Sequence, residues 1–405
     1  MSFSSDFESL TERRGSGCCK WDSALPSGAD LTPAQRENVI PLWIADMDFP
    51  AAPCIRRAIE KRAAHGIFGY VKVQDSYYDS VINWFRSRHG LSFEREWMIY
   101  TTGVVPAISA AVKALARPGS GVIIQPPVYN CFYSSVRNAG LQVAESPLLR
   151  HELPDGRYTF SMDFEDLEAK CADPANTILL LCNPHNPAGR LWSADELRRA
   201  GEIAFRHGVI VISDEIHCEI VPSGSAYTPF ASLGEQFMRG SVTLMSPSKS
   251  FNFAGLKISN IVCWNPDWRR AIDKMINIYE ICDVNPFGPV AVEAAYSDEG
   301  AAWLREMNDV VTCNYNILLE ECSALQGFPV SLLEATYLPM IDISCLGITS
   351  DEVEVELLRG EQVWVNAGTM YGRDGYIRIN LACQPSLFRE GARRIAAGLK
   401  RLQNR

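Results

Sequence analysis

Through the middle of the chain, short runs of uninterrupted apolar residues alternate with stretches in which apolar positions recur every three or four residues. The runs Trp97–Thr102, Gly121–Gln125, Thr177–Cys182, Val209–Ser213, Ser241–Ser246 and Ile258–Trp264 predict strands. Val104–Ala116 predicts a helix ended by Pro118-Gly119, and Ser193–Arg206 a helix opened by a Ser193/Glu196 capping box. A long helix is expected after Asn265-Pro266, with Asn265 as N-cap and Pro266 at the first helical position. Strands that are apolar throughout and separated by helices imply an α/β fold with a mostly parallel sheet covered on both faces. After about Pro286 the pattern changes to long helices and then short strands near Tyr337–Ile343 and Tyr376–Leu381. This suggests an N-terminal arm (1–49), a large domain (50–285) and a smaller α/β C-terminal domain (286–405) that the arm joins. No internal repeat is evident.

Composition narrows the function classes. The 405 residues are 47% hydrophobic and 21% charged, the profile of a packed globular chain. Net charge is −10, without a block of Lys or Arg, which argues against nucleic acid as a partner. Thirteen scattered cysteines include no C-x-x-C, so reduced thiols in a cytoplasmic protein are expected. His65, His185 and His217 lack metal-ligand spacing, and no metal is expected. No apolar run approaches a membrane span, and residues 1–17 lack the apolar core of a signal peptide.

In a parallel sheet, ligands sit beyond the carboxyl ends of the strands. Four such ends carry unusual residues: Thr101-Thr-Gly103 before a helix at Val104, Asn183-Pro-His-Asn-Pro-Ala-Gly189, Asp214-Glu-Ile-His217 and Ser246-Pro-Ser-Lys249. A glycine at a helix start offers free N–H groups and a positive dipole end, which suits a phosphate. Two serines and a lysine suit the same phosphate and a neighbouring carbonyl. A strand-end Asp can hold a positive charge, and an Asn can donate to a phenolate. Together they match a charged aromatic aldehyde bearing a phosphate. Read alone, each has an ordinary alternative. Asp214 could be a turn residue, Tyr129 a packing residue, and Asn183-Pro plain turn chemistry. Arg378, alternating with Ile377 and Ile379, could be a surface residue. Asp46 and Asp48 would usually face water.

The strings Pro41-Leu-Trp-Ile-Ala-Asp-Met-Asp-Phe49, His65-Gly-Ile-Phe-Gly-Tyr70, Ser246-Pro-Ser-Lys-Ser-Phe-Asn-Phe-Ala-Gly255 and Tyr376-Ile-Arg-Ile-Asn380 occur in that order. With them the chain, from about Ile40 to Leu399, resembles the fold-type-I pyridoxal-phosphate enzymes of the class I and II aminotransferase superfamily. Within it, the resemblance is to the cystathionine β-lyase (cysteine C–S lyase) branch, which includes repressor-type proteins of the maltose regulon.

The resemblance implies that pyridoxal 5'-phosphate is bound as a Schiff base to Lys249, which then moves the Cα proton. It implies Asp214 at the pyridinium nitrogen, Asn183 at the ring oxygen, His217 near it, and Tyr129 stacked on the ring. Gly103, Val104, Ser246 and Ser248 would form the phosphate cup, with Tyr70 reaching in from a neighbouring subunit of a homodimer. Arg378 would clamp the substrate carboxylate, and Ala45 in the Trp43–Phe49 segment would help to shape the substrate site. Lys257 stands where aminotransferases usually carry a phosphate-binding Arg; it could supply a point charge there or face elsewhere. The expected activity is release of pyruvate, ammonia and a thiol from L-cystathionine or related cysteine S-conjugates. The alternatives are an amino-acid aminotransferase and a regulatory binding protein on the same fold.

Overall fold

The computed structural model describes residues 4–405. Its centre is a seven-stranded sheet: β1 (Met98–Thr101), β2 (Gly121–Ile124), β3 (Gln142–Glu145), β4 (Asn176–Cys182), β5 (Ile210–Asp214), β6 (Ser241–Met245) and β7 (Ser259–Cys263). Their order across the sheet is β1-β7-β6-β5-β4-β2-β3. All neighbours are parallel except β7, which is antiparallel to both β6 and β1. The sheet is therefore mostly parallel, as expected, with one strand reversed.

Continuous apolarity in these strands follows from burial on both faces. Val122, Ile124, Ile178, Leu180 and Ile212 enter one apolar cluster, and Ile123, Leu179, Leu181 and Val211 enter another. Successive side chains alternate between these clusters, as the pleat requires. Helix Val104–Leu115 packs on helix Pro266–Ile278, which Asn265 caps by accepting from the N–H groups of Asp267 and Trp268. Helix Ala194–Arg206 opens with the Ser193/Glu196 capping box read from the sequence.

Outside the central sheet, Tyr376–Arg378 is the middle strand of an antiparallel sheet with Met340–Asp342 and Asn366–Ala367. The N-terminal segment reaches that region: Ile40–Pro41 pairs in parallel with Val363–Trp364, and the Trp43 and Trp364 rings stack 4.4 Å apart. Helix Gly288–Ala295 packs against helices Pro53–Ala64 and Asp75–His89. Among the described residues, no helix is long and apolar enough to cross a membrane.

Candidate active site

The site forms where β4, β5 and β6 end side by side, with the end of β1 one strand away across β7. The register Cys182↔Asp214↔Leu244 brings three of these ends level. The ladder continues one step past them, with Asn183 N–H donating to Asp214 O (2.9 Å) and Glu215 N–H to Leu244 O (2.8 Å). The reversal at β7 shapes the loop here. Residues 246–258 leave β6 and return directly into β7, and Ser246 Oγ clasps the loop by donating to Ile258 O (2.8 Å). Ser248 N–H donates to Ser246 Oγ (3.1 Å). On this clasped loop, the Lys249 ammonium donates to Ala45 O (2.6 Å). Burial lowers the lysine pKa, the Asp46 carboxylate opposes this, and the charges of Arg378 and Lys257 add to the lowering.

At the end of β1, Gly103 has φ 152° and ψ 163°, a region essentially reserved for glycine. It caps helix Val104–Leu115 without any side-chain hydrogen bond to the first turn. The helix thus presents its N-terminal N–H groups without a side-chain cap at the end of β1, a suitable position for an anion.

Asp214 is 3% exposed, and among the described residues its carboxylate accepts only from the Ile216 N–H (3.1 Å). Burial pushes its carboxyl up to about 7; with no cation paired to it, it is a carboxylate set for one. Asn183 Nδ2 donates to Thr228 O (3.0 Å) and lies 3.5 Å from Glu215 Oε1, while its buried Oδ1 has no partner. His217 is buried with Nδ1 unpartnered. Burial, then the charges of Lys249 and Arg378, drop it to about 3, so it is neutral at working pH. Tyr129 is half-buried; burial, Cys131 and Asp214 raise its hydroxyl far above the ordinary value.

Arg378 is 2% exposed. Its Nη2 donates to Trp43 O (2.6 Å), its Nη1 lies 3.3 Å from Asn186 Oδ1, and its guanidinium sits 4.7 Å from the Tyr371 ring centre. No carboxylate among the described residues pairs with it, and its buried Nε has no partner. The surface reading of this residue is overturned. The side of the strand opposite Ile377 and Ile379 is covered by the Trp43–Asp46 segment rather than by water.

Two residues lie apart from this group. Tyr70 is 99% exposed in the irregular stretch after helix Pro53–Ala64. Lys257 is exposed, in the left-handed region (φ 48°, ψ 64°).

Asp46 and Asp48 are also corrected, because neither simply faces water. Asp48 is 3% exposed and accepts from Lys20, Arg13 and Trp21, while Asp46 pairs with Arg13 at 2.6 Å. Sequence reading missed Arg13, Lys20 and Asn380, and also Tyr337, whose ring meets His217 edge-on at 6.2 Å. Each is an unremarkable residue locally and gains its place only from the fold.

The model of the family described as aminotransferase class I and II matches residues 37–395. The chain belongs to that family. Among relatives of this aminotransferase class I and II protein, cystathionine β-lyase PatB of Bacillus subtilis is 38% identical over 97% of this chain and all of the relative. Cystalysin of Treponema denticola, solved with pyridoxal 5'-phosphate, superposes with a TM-score of 0.90 at 33% identity, covering 98% of this chain and 99% of that one. A PLP-bound putative aminotransferase from Clostridium difficile 630 gives 0.89 at 36% identity, covering 97% and 99%.

Proposed function

We propose that this protein is a pyridoxal-phosphate-dependent carbon–sulfur lyase that cleaves the Cβ–S bond of L-cystathionine or related cysteine S-conjugates. The observation that carries the reaction class is the 38% identity to a cystathionine β-lyase across that protein's whole length. The donor set also fits the cofactor. An uncapped helix N-terminus and two serines suit the phosphate, a cation-less buried Asp214 suits the ring nitrogen, and Lys249 suits the aldehyde carbon.

When bound, pyridoxal phosphate supplies an electron-poor ring that takes up the electron pair left at Cα on deprotonation. Asp214 would pair with the ring nitrogen and keep it protonated. Tyr129 would cover the ring face, Asn183 and His217 would line its oxygen side, and Gly103, Val104, Ser246 and Ser248 would hold the phosphate. Arg378 takes the substrate carboxylate in a bidentate pair beside Ala45. Lys249 Nζ, whose pKa burial lowers, removes the Cα proton as general base. Loss of the thiolate from Cβ, followed by hydrolysis, converts cystathionine and water to homocysteine, pyruvate and ammonia.

The active unit is a cytoplasmic homodimer in which Tyr70 of one copy completes the phosphate site of the other. Beside the 50–285 large domain, the 1–49 arm joins the small 286–405 domain, in keeping with the Ile40–Pro41 pairing.

The test is turnover on L-cystathionine with no 2-oxo acid. Pyruvate, ammonia and thiol should appear in equal amounts over many cycles. Product that requires a 2-oxo acid, with no thiol released, would make the protein an aminotransferase instead.

A further inference from the structure

Five consecutive backbone carbonyls, from Trp43 to Met47, each accept a hydrogen bond from a side chain. Two of them meet the reacting cations: Trp43 O takes Arg378 (2.6 Å) and Ala45 O takes Lys249 (2.6 Å). The others are gripped from elsewhere. Ile44 O and Asp46 O both take Asn380 Nδ2 (2.6 and 2.7 Å). Asp46 O also takes Lys20 (2.9 Å), and Met47 O takes Arg13 (2.7 Å) and Asn252 (3.0 Å). Between them Asp46 N–H donates to Ile44 O (2.8 Å), a three-residue turn that aims the Ala45 carbonyl.

The grip from the N-terminal side is ionic and partly buried. Lys20 has no exposed surface, and its ammonium donates to Asp48 Oδ2 (2.7 Å). Arg13 bridges two carboxylates, Asp46 Oδ2 at 2.6 Å and Asp48 Oδ1 at 2.7 Å. Trp21 Nε1 adds a third donor to Asp48 (2.8 Å). Burial alone would raise the Asp48 carboxyl, but Lys20, Trp21 and Arg13 outweigh it and hold it below the usual range. Buried ion groups of this kind add little net stability, yet they tolerate only one geometry. Here that geometry fixes the backbone against which Arg378 rests.

We propose that Arg13 and Lys20 are positioning residues for substrate binding: through Asp46 and Asp48 they set the Trp43 and Ala45 carbonyls, and thereby the guanidinium that receives the substrate carboxylate. The inference rests on the assignment of Arg378 to that carboxylate. It does not depend on whether the reaction is elimination or amino transfer. Arg13 and Lys20 donate to the 46–48 segment and not to Lys249, Asp214 or Arg378, so their loss should weaken amino-acid binding while leaving the cofactor held.

The experiment compares the wild-type holoenzyme with Arg13→Gln, Arg13→Lys and the charge-neutral pair Lys20→Met/Asp48→Asn. Arg13→Gln leaves the buried Lys20–Asp48 pair intact and so keeps the fold. Two readouts are taken per mole of bound cofactor. One is the Kd for L-alanine, an amino acid with no leaving group, followed by the change in cofactor absorption. The other is KM and kcat on L-cystathionine. Arg13→Gln should raise Kd and KM about ten-fold or more, with kcat within about three-fold and cofactor content unchanged. Arg13→Lys should fall between it and wild type, since an ammonium lacks the planar fork that spans both carboxylates. Wild-type Kd in Arg13→Gln holoenzyme would overturn the proposal, whatever its melting temperature. A double variant that fails to fold leaves the two Arg13 variants to decide. Because L-alanine binding needs no Cβ–S cleavage, failure of the lyase reading would show separately, as cystathionine left intact by the wild type.

Discussion

At the residue scale, the proposed chemistry rests on two groups whose pKa values the fold shifts against their ordinary behaviour. Lys249 is pushed toward the free amine, and Lys249→Ala should cost at least about 100- to 10,000-fold in turnover, since the general base is lost. Borohydride reduction of the wild type should place the cofactor on the Lys249 peptide, and label on any other lysine would refute the assignment. Asp214 is pushed the other way, to about 7. An acid whose folded pKa is raised favours the folded state below its unfolded pKa, near 4, and that advantage is lost as pH climbs through 7. Cofactor-free wild type should therefore lose stability relative to cofactor-free Asp214→Asn between pH 4 and 7, by about 4 kcal/mol at most, and no further above that. Thermal unfolding of both stripped proteins across this range checks the sign; a wild type that gains on the variant as pH rises would contradict it. Lys249, Asp214 and Asn183 were legible in the sequence because each directly follows an apolar strand. Arg13 and Lys20 were not, because their carboxylate partners lie 28 to 35 residues away and only the folded chain brings them together.

Among the elements, local signals proved sufficient for position and insufficient for direction. Capping chemistry is local, and so the Ser193 box and the Asn265 cap stand where the sequence puts them. Ser193→Ala should cost about 1 kcal/mol in denaturant unfolding and leave steady-state kinetics unchanged, because the Ala194–Arg206 helix carries none of the site residues. A change in KM would mean that this helix is coupled to the site. The reversal of β7 was not legible. Its Ser259–Cys263 run is buried throughout, and continuous apolarity reports burial on both faces but not which way a strand runs. The same limit applied to Arg378. Period-two alternation told that it lies opposite Ile377 and Ile379, but not that residues 43–46 would cover that side.

For the whole molecule, the proposed phosphate site bears on how copies of the chain assemble. The stretch around Ile67, Phe68 and Tyr70 is 67%, 55% and 99% exposed, an unusual display of large apolar side chains. A homodimer in which Tyr70 enters the neighbouring site would cover it, and would make each site a product of two chains. Subunit mixing tests this directly. Lys249→Ala and Tyr70→Ala homodimers should each be nearly inactive, the first for lack of a base and the second through poor cofactor retention. When the two are unfolded together and refolded, random pairing makes half of the dimers mixed. In each mixed dimer one site has both substitutions and the other has neither. Activity should therefore recover to roughly a quarter of the wild-type value. Were Tyr70 to serve the site of its own chain, every site in the mixture would still carry one lesion, and no activity would return.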